Sequence, residues 1–366
     1  MSLFQRRWLM DSVHRNGSAT YTEIKRQQRI WKGILEALES ERQRYKEFVE
    51  HHRDALWVFT GCGSSYYLAQ TGSHCFSEYT SLPCKAVPAS EILMFPEVIF
   101  PHAQKSILVG ISRSGSTTET VRALEKAKHG LNIPSLAISC DPDSEMSLRS
   151  DHALKFPFEK ENAVVMTSSF TSMLLAILYL AWAYKQDPEL WHKLMSLPDE
   201  SEKIMNRYED LMAGIGNLDD IESWVFLGQG PFYGIANEGA LKIGEMTLSL
   251  SQSYHSLEYR HGPMSTAGER TLIVVLCSQA GRELEQDLVR DLKKLGAKIL
   301  LMGDVATTAK LNEVDYKVTV PADYGDLLTA FLYLPLLQLL GYFRARRKGL
   351  NPDSPKNLTA VVKLDL

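Results

Sequence analysis

The sequence predicts an α/β chain of two tandem units, each a parallel sheet covered on both faces by helices. Three observations lead there. Short apolar strands alternate with helical patterns, the arrangement that gives parallel sheets under helical cover. The pattern then restarts in the second half. Finally, the halves share a glycine turn in register: Gly61, Gly63, Tyr66 and Ala69 match Gly228, Gly230, Tyr233 and Ala236 at one constant offset, the mark of an internal duplication. At 366 residues there is room for two domains of about 150 residues each plus extensions.

Residues 1–45 read as a polar helical extension, with Ile24, Ile30, Trp31, Ile34 and Leu35 at near-helical spacing. The first unit, 46–190, has strand-like runs at 56–60, 107–111, 135–138 and 152–156, with a helix over 117–128. The polar helical stretch 199–212 belongs to a linker at 191–218. The second unit, 219–345, has strands at 224–227, 272–276, 298–302 and 316–320 and a helix over 233–250. Two apolar runs, 173–184 and 327–343, fall short of a membrane span, and the second holds Thr329, Pro335 and Gln338. They read as core or dimer-interface helices, more apolar than one small sheet face needs. No membrane association is expected.

A net charge of −4 and a 45% apolar composition exclude a disordered chain and offer no field for nucleic acid. The cluster Arg344, Arg346, Arg347 and Lys348 reads as a solvated helix end, where cations suit the dipole. The five cysteines, Cys62, Cys75, Cys84, Cys140 and Cys277, are odd in number and form no CxxC, as expected of reduced thiols in the cytoplasm. No Cys/His cluster suits zinc, so no metal is expected. The start, Met1-Ser2-Leu3-Phe4-Gln5-Arg6-Arg7, has no apolar run behind its charges, so no signal peptide is expected.

Two hydroxyl-rich turns follow strands of the first unit: Gly61-Cys62-Gly63-Ser64-Ser65 and Ser112-Arg113-Ser114-Gly115-Ser116-Thr117-Thr118. In an open parallel sheet, ligands bind beyond the carboxyl ends of the strands. A helix N-terminus there suits a phosphate. One such turn could be simple helix capping; two at strand ends point to a phosphate cradle. It lacks the lysine of a nucleotide P-loop and the third glycine of a dinucleotide fingerprint. Neutral hydroxyl donors suit a sugar phosphate that must bind and leave.

The second unit carries acid–base candidates. Glu238, Lys242 and Glu245 stand at i, i+4 and i+7 of one helix and share a face. His261 follows in the rigid turn Arg260-His261-Gly262-Pro263. Alone, Glu238 and Lys242 could be a surface ion pair and His261 a capping residue. Beside a phosphate site, a carboxylate and an imidazole are what aldose–ketose proton transfer needs.

At these motifs the sequence resembles the double-SIS (sugar isomerase) phosphosugar proteins. These include the isomerase half of glucosamine-6-phosphate synthase, the hexosamine-phosphate deaminases and isomerases, and the fructosamine-6-phosphate deglycases. The resemblance runs from Thr22-Glu23-Ile24 to Pro355-Lys356-Asn357-Leu358. It implies two tandem SIS domains, each a mainly five-stranded, flavodoxin-like three-layer sandwich, with the tail 346–366 closing over the site. It also implies that Gly61, Gly63, Ser64, Ser65, Ser112, Arg113, Ser114, Ser116 and Thr117 hold the sugar phosphate, and that Val164 and Met166 line the sugar. Glu245 is implied to move the proton between C1 and C2, with Glu238 and Lys242 beside it. His261 would open the ring, supplied across a homodimer interface, with no cofactor. Two departures stand out. The expected start leaves no room for a glutaminase domain, and Ala360 stands where the synthase has its Schiff-base lysine, with Lys363 out of frame. The expected substrate is a phosphorylated sugar or amino-sugar, handled by a glucosamine- or galactosamine-6-phosphate isomerase/deaminase. A fructosamine-6-phosphate deglycase and a non-catalytic sugar-phosphate sensor are the alternatives.

Overall fold

A computed structural model describes residues 17–364 except 102, 157 and 159; the expected start at residues 1–7 and the first part of the helical extension lie outside them. Three helices come first: α1 (Ser18–Lys25), α2 (Gln27–Glu39) and α3 (Arg42–His51). The first sheet follows, with β1 (Leu56–Gly61), β2 (Cys84–Pro88), β3 (Ser106–Ser112), β4 (Ser135–Ser139) and β5 (His152–Leu154). Helix α4 (Ser64–Thr80) follows β1, and α5 (Thr118–Glu125) follows β3. Helices α6 (Ser168–Lys185) and α7 (Pro188–Gly216) lead to the second sheet. This holds β6 (Ser223–Gly228), β7 (Leu250–His255), β8 (Thr271–Leu276), β9 (Lys298–Asp304) and β10 (Tyr316–Val320). Helix α8 (Phe232–Thr247) follows β6, α9 (Arg282–Lys294) follows β8, and α10 (Gly325–Arg347) comes last.

Both sheets are parallel, ordered β2-β1-β3-β4-β5 and β10-β9-β8-β6-β7. These are one topology read from opposite edges, so the duplication extends to three dimensions. The shared glycines have shared reasons. A Cβ on Gly61 would sit 2.8 Å from the Ser65 backbone, and one on Gly228 2.3 Å from the Phe232 backbone. Gly63 and Gly230 both take positive φ, 55° and 57°, which L-residues rarely adopt.

Strand periodicity sorts the core into layers. In β1, Trp57 and Phe59 face a central core while Val58 faces an outer one under α5. In β6, Trp224 and Phe226 face the same central core while Val225 and Leu227 pack under α9. The two sheets thus share one helical middle layer, built from α2, α4, α6, α7, α8 and α10.

Several expectations change. Strands β2 and β7 lie in stretches that did not read as strands; each is an edge strand, only partly buried, so neither carries a continuous apolar run. The helix expected over 233–250 stops at Thr247, where Leu248 turns to φ 51° and releases the chain into β7. The stretch 199–212 lies inside the longer α7. The apolar runs need no second copy to cover them: α6 and most of α10 are buried within one chain. By length and composition the helical segment 322–347 could cross a membrane, contrary to expectation, but most of it is buried inside the fold. Nor is the basic helix end wholly solvated. Arg344 is buried, donating to the Ile221 carbonyl at 3.2 Å and lying over the Trp224 ring. The five cysteines are free thiols.

Candidate active site

Duplicated helices α4 and α8 pack directly on each other. Gly234 permits this, since a Cβ there would meet the Tyr67 carbonyl at 2.4 Å. The packing brings the N-terminus of α4 to the polar face of α8. Ser64 Oγ donates to Glu238 Oε1 at 3.1 Å, and Lys242 Nζ donates to Ser64 Oγ at 3.3 Å. The same ammonium pairs with Glu238 Oε1 at 2.9 Å and with the Glu245 carboxylate. Its three donors are therefore all used.

The electrostatics follow from burial. Glu238 and Lys242 have no exposed side-chain surface, while Glu245 keeps 14%. Burial raises the Glu238 carboxyl above its ordinary range, opposed by Lys242 and reinforced by Glu245. Burial pulls the Lys242 ammonium down, but the charges of Glu238 and Glu245 outweigh it and the net direction is up. Lys242 is thus a permanent cation that orients Glu245, the one carboxylate of the row open to a ligand.

The second turn lies beside α5. Ser112 Oγ and Thr117 Oγ1 are 3.2 Å apart, and Ser112 Oγ accepts from the Gly115 N–H at 3.1 Å. Ser114 Oγ accepts from the Ser116 N–H at 3.2 Å and from its hydroxyl at 3.1 Å. Among the described residues, the N–H groups of Ser114 and Thr117 meet no protein acceptor. The tail lies alongside: Thr118 N donates to Val362 O at 3.4 Å, and Leu364 N to Thr118 Oγ1 at 3.0 Å.

The corresponding turn of the second unit is already filled. Register places it after β8, because Phe59 pairs with Val109 as Phe226 pairs with Val274. There Glu285 accepts from Ser278 N and Oγ, both at 2.7 Å, and Asp326 accepts from Gln279 N at 2.8 Å and Ala280 N at 3.2 Å. Carboxylates of the chain itself occupy these donors, whereas no carboxylate fills the Ser112–Thr118 turn among the described residues.

Two expected residues sit differently from the rest. The Arg113 guanidinium is committed elsewhere. It pairs with the buried Glu161 at 3.1 Å and donates to the carbonyls of Val164 at 2.9 Å and Ala360 at 3.2 Å. It anchors the loop carrying Val164 and Met166 rather than presenting free charge to the cradle. Met166 does reach the site, its sulfur 3.8 Å from Ser65 Oγ. His261 is exposed at the end of a short turn, its N–H bonded to Glu258 O at 3.0 Å. Within the chain no hydrogen bond or ion pair joins its ring to Glu245 or to any other described residue.

Sequence reasoning missed two buried carboxylates that position the same loop. Glu161 accepts from Thr167, Ser168 and Ser169, including Ser169 Oγ at 2.6 Å. Burial alone would raise it, but Arg113 and these donors hold it below the usual range. Glu23 accepts from the N–H groups of Asn162 and Ala163, and burial pushes it up to about 7. The run Thr167-Ser168-Ser169 ahead of an apolar helix was the available signal for Glu161; Glu23 stands in the Thr22-Glu23-Ile24 that opens the resemblance, with no local pattern to show what it holds.

Comparison with known proteins agrees with this architecture. The SIS domain model matches residues 57–183 and 218–342. The isomerizing glutamine–fructose-6-phosphate aminotransferase of Francisella tularensis is 30% identical over 346 residues, 90% of this chain and 55% of that protein. The Methanothermobacter thermautotrophicus aminotransferase is 27% identical over 309 residues, 84% of this chain and 51% of that protein. The chain therefore spans about half the length of these relatives. Among solved structures, the C-terminal domain of the Francisella enzyme superposes with a TM-score of 0.84 at 25% identity, covering 92% of this chain and 98% of that one. The glucosamine-6-phosphate deaminase of Thermotoga maritima superposes with a TM-score of 0.76 at 30% identity, covering 95% and 100%. With matched sequence across both halves and one sheet topology used twice, the chain belongs to the SIS family and carries two SIS domains in tandem.

Proposed function

We propose that the chain is an isomerase–deaminase for an amino-sugar 6-phosphate of the glucosamine or galactosamine type. The observation that carries this reading is the buried Glu238–Lys242–Glu245 row set against Ser64, at the edge of a hydroxyl cradle. Ser65, Ser112, Ser114, Ser116 and Thr117, with the backbone at Gly61 and Gly63, hold the phosphate. Val164 and Met166 line the sugar. His261 moves the proton that opens the ring, and its exposed, unpaired imidazole fits delivery from a second copy of the chain. Glu245 then takes the proton from C2 and returns it to C1, leaving an imine at C2. Water hydrolyses the imine, giving ketose phosphate and ammonia. Each proton transfer by a positioned group is worth about 10²–10⁴-fold. The 30% identity to a glucosamine-6-phosphate deaminase over its whole chain supports the leaving group. Ala360 at the family's lysine position argues against a Schiff base to the ketose.

The test is a panel of glucosamine 6-phosphate, galactosamine 6-phosphate and fructose-6-phosphate–amino acid conjugates, scored for ammonia, amino acid and ketose phosphate, with Glu245→Gln beside the wild type. Ammonia and ketose from the first two, lost in the variant, support the reading. Amino acid from the conjugates alone replaces it with deglycation. Phosphosugar binding without turnover on any member replaces it with a sensor.

A further inference from the structure

The duplication leaves a second cleft without a role. At the carboxyl end of the second sheet, a cavity of about 430 Å³ is lined by Gln229, Tyr233 and His255 on one side and by Gln70, Ser73 and His74 of α4 on the other. It adjoins the second unit's copy of the Gly61–Ser65 turn, on the side of the edge strand β7. Gly230 stands in the place of Gly63, and α4 lies opposite it.

Its chemistry is different. Where the first turn has Ser64 and Ser65, this one has Pro231, which has no N–H, and Phe232. The N–H groups of Phe232 and Tyr233 bond to the carbonyls of Gln229 and Gly230, at 3.1 and 3.2 Å, as those of Ser65 and Tyr66 bond to Cys62 and Gly63, so the difference lies in the missing hydroxyls and the missing N–H of Pro231. Among the described residues no lysine or arginine lines the cleft, and the neighbouring turn after β8 is filled by Glu285 and Asp326. An anion finds little to bind here.

What the cleft offers is a ring platform and neutral polar groups. Tyr233 and His255 stack with centroids 3.6 Å apart and planes 17° apart. Gln229 Oε1 and His255 Nδ1 are both buried without a hydrogen-bond partner. Leaving such an atom unmatched costs about 1–3 kcal/mol, and native structures keep few of them. An amide oxygen only accepts, so its missing partner is a donor such as a hydroxyl. The cavity volume lies within the range of small-molecule sites.

We propose that this cleft is a second ligand site that takes a neutral, non-phosphorylated hexose ring, with sugar hydroxyls satisfying Gln229 and His255 beside the Tyr233 platform. It reports directly to the catalytic helix. Asn237 Nδ2 donates to Gln70 Oε1 at 2.6 Å, and Asn237 is the residue before Glu238.

The experiment is saturation-transfer NMR on the intact protein with glucose and N-acetylglucosamine, using fructose 6-phosphate as competitor. It reads binding alone and does not depend on turnover. The expected result is transfer to at least one hexose that fructose 6-phosphate does not displace and that Ser114→Ala leaves unchanged. In Gln229→Leu, and separately in His255→Leu, affinity should fall about tenfold, the loss of one hydrogen bond. No transfer from either hexose overturns the proposal. So does complete displacement by fructose 6-phosphate, or unchanged affinity in both variants with circular dichroism of the wild type.

Discussion

Replacing Lys242 with Met removes a buried cation while keeping its aliphatic stem. Glu245 can turn toward solvent, but Glu238 cannot: its carboxylate is fully buried and its ammonium partner at 2.9 Å is gone. Only the Ser64 hydroxyl still donates to it. A buried unpaired charge neutralises itself, so Glu238 must fold protonated. Relative to its ordinary value of 4.5, holding that proton at pH 7 costs about 3 kcal/mol at about 1.36 kcal/mol per pH unit, an upper bound on the change because the wild-type carboxyl is already raised. At pH 5 the cost falls below about 1 kcal/mol. The sign follows from linkage: a carboxyl raised in the fold leaves stability intact below 4.5 and erodes it as pH rises. With about 2.1 cal/mol/K of unfolding entropy per residue, Lys242→Met should lower Tm by up to about 4 °C at pH 7 and by up to about 1 °C at pH 5. Thermal unfolding followed by circular dichroism reads both. Adding Glu238→Gln should recover most of the pH 7 loss, because it removes the stranded charge. An equal Tm loss at the two pH values, or a double variant no better than the single one, would refute the reasoning.

Glu245→Gln should reduce turnover of an amino-sugar 6-phosphate by about 10²-fold or more while leaving phosphosugar affinity within a few-fold, since the phosphate contacts lie on the other unit; parallel kinetics and calorimetry check it. Glu23 sits near 7 in the fold and therefore favours folding in its protonated form. Wild-type stability should fall relative to Glu23→Gln as pH rises from 4.5 toward 7, by about 3 kcal/mol at most; a Tm difference that stays flat from pH 5 to pH 8 would contradict this. Gly61→Ala places a Cβ 2.8 Å from the Ser65 backbone. It should cost about 1–3 kcal/mol and weaken phosphosugar binding, read by denaturant unfolding and calorimetry, whereas Gly33→Ala, with open space around it, should not.

Much of the fold was legible because it rests on local pattern. Central strands such as β3 and β8 are buried along their whole length and read as apolar runs. The duplication was legible because glycines cannot be replaced where a Cβ would strike backbone. Edge strands β2 and β7 were not, since half-exposed positions carry mixed side chains and gain their identity only from the neighbour they pair with. The row Glu238–Lys242–Glu245 followed from helical spacing. What could not follow was that Ser64, from a helix far away in sequence, completes it. Arg113 illustrates the reverse. The resemblance implied a phosphate ligand, while its partner Glu161 and the Val164 carbonyl arrive from a loop with no pattern to announce them.

The middle layer shared by the two sheets constrains how the molecule can be made. Gln338 of α10 accepts from Gln27 at 2.9 Å and donates to Thr167 O at 3.1 Å, and Phe331 meets Trp31 edge-on. Helix α10, made after both sheets, is thus a structural member of the first unit. The amino-terminal half has to wait, with part of its apolar surface open, until the carboxyl-terminal helix arrives. A break in the chain near residue 187 should therefore yield two fragments that are each insoluble alone and that recover a compact fold when expressed together.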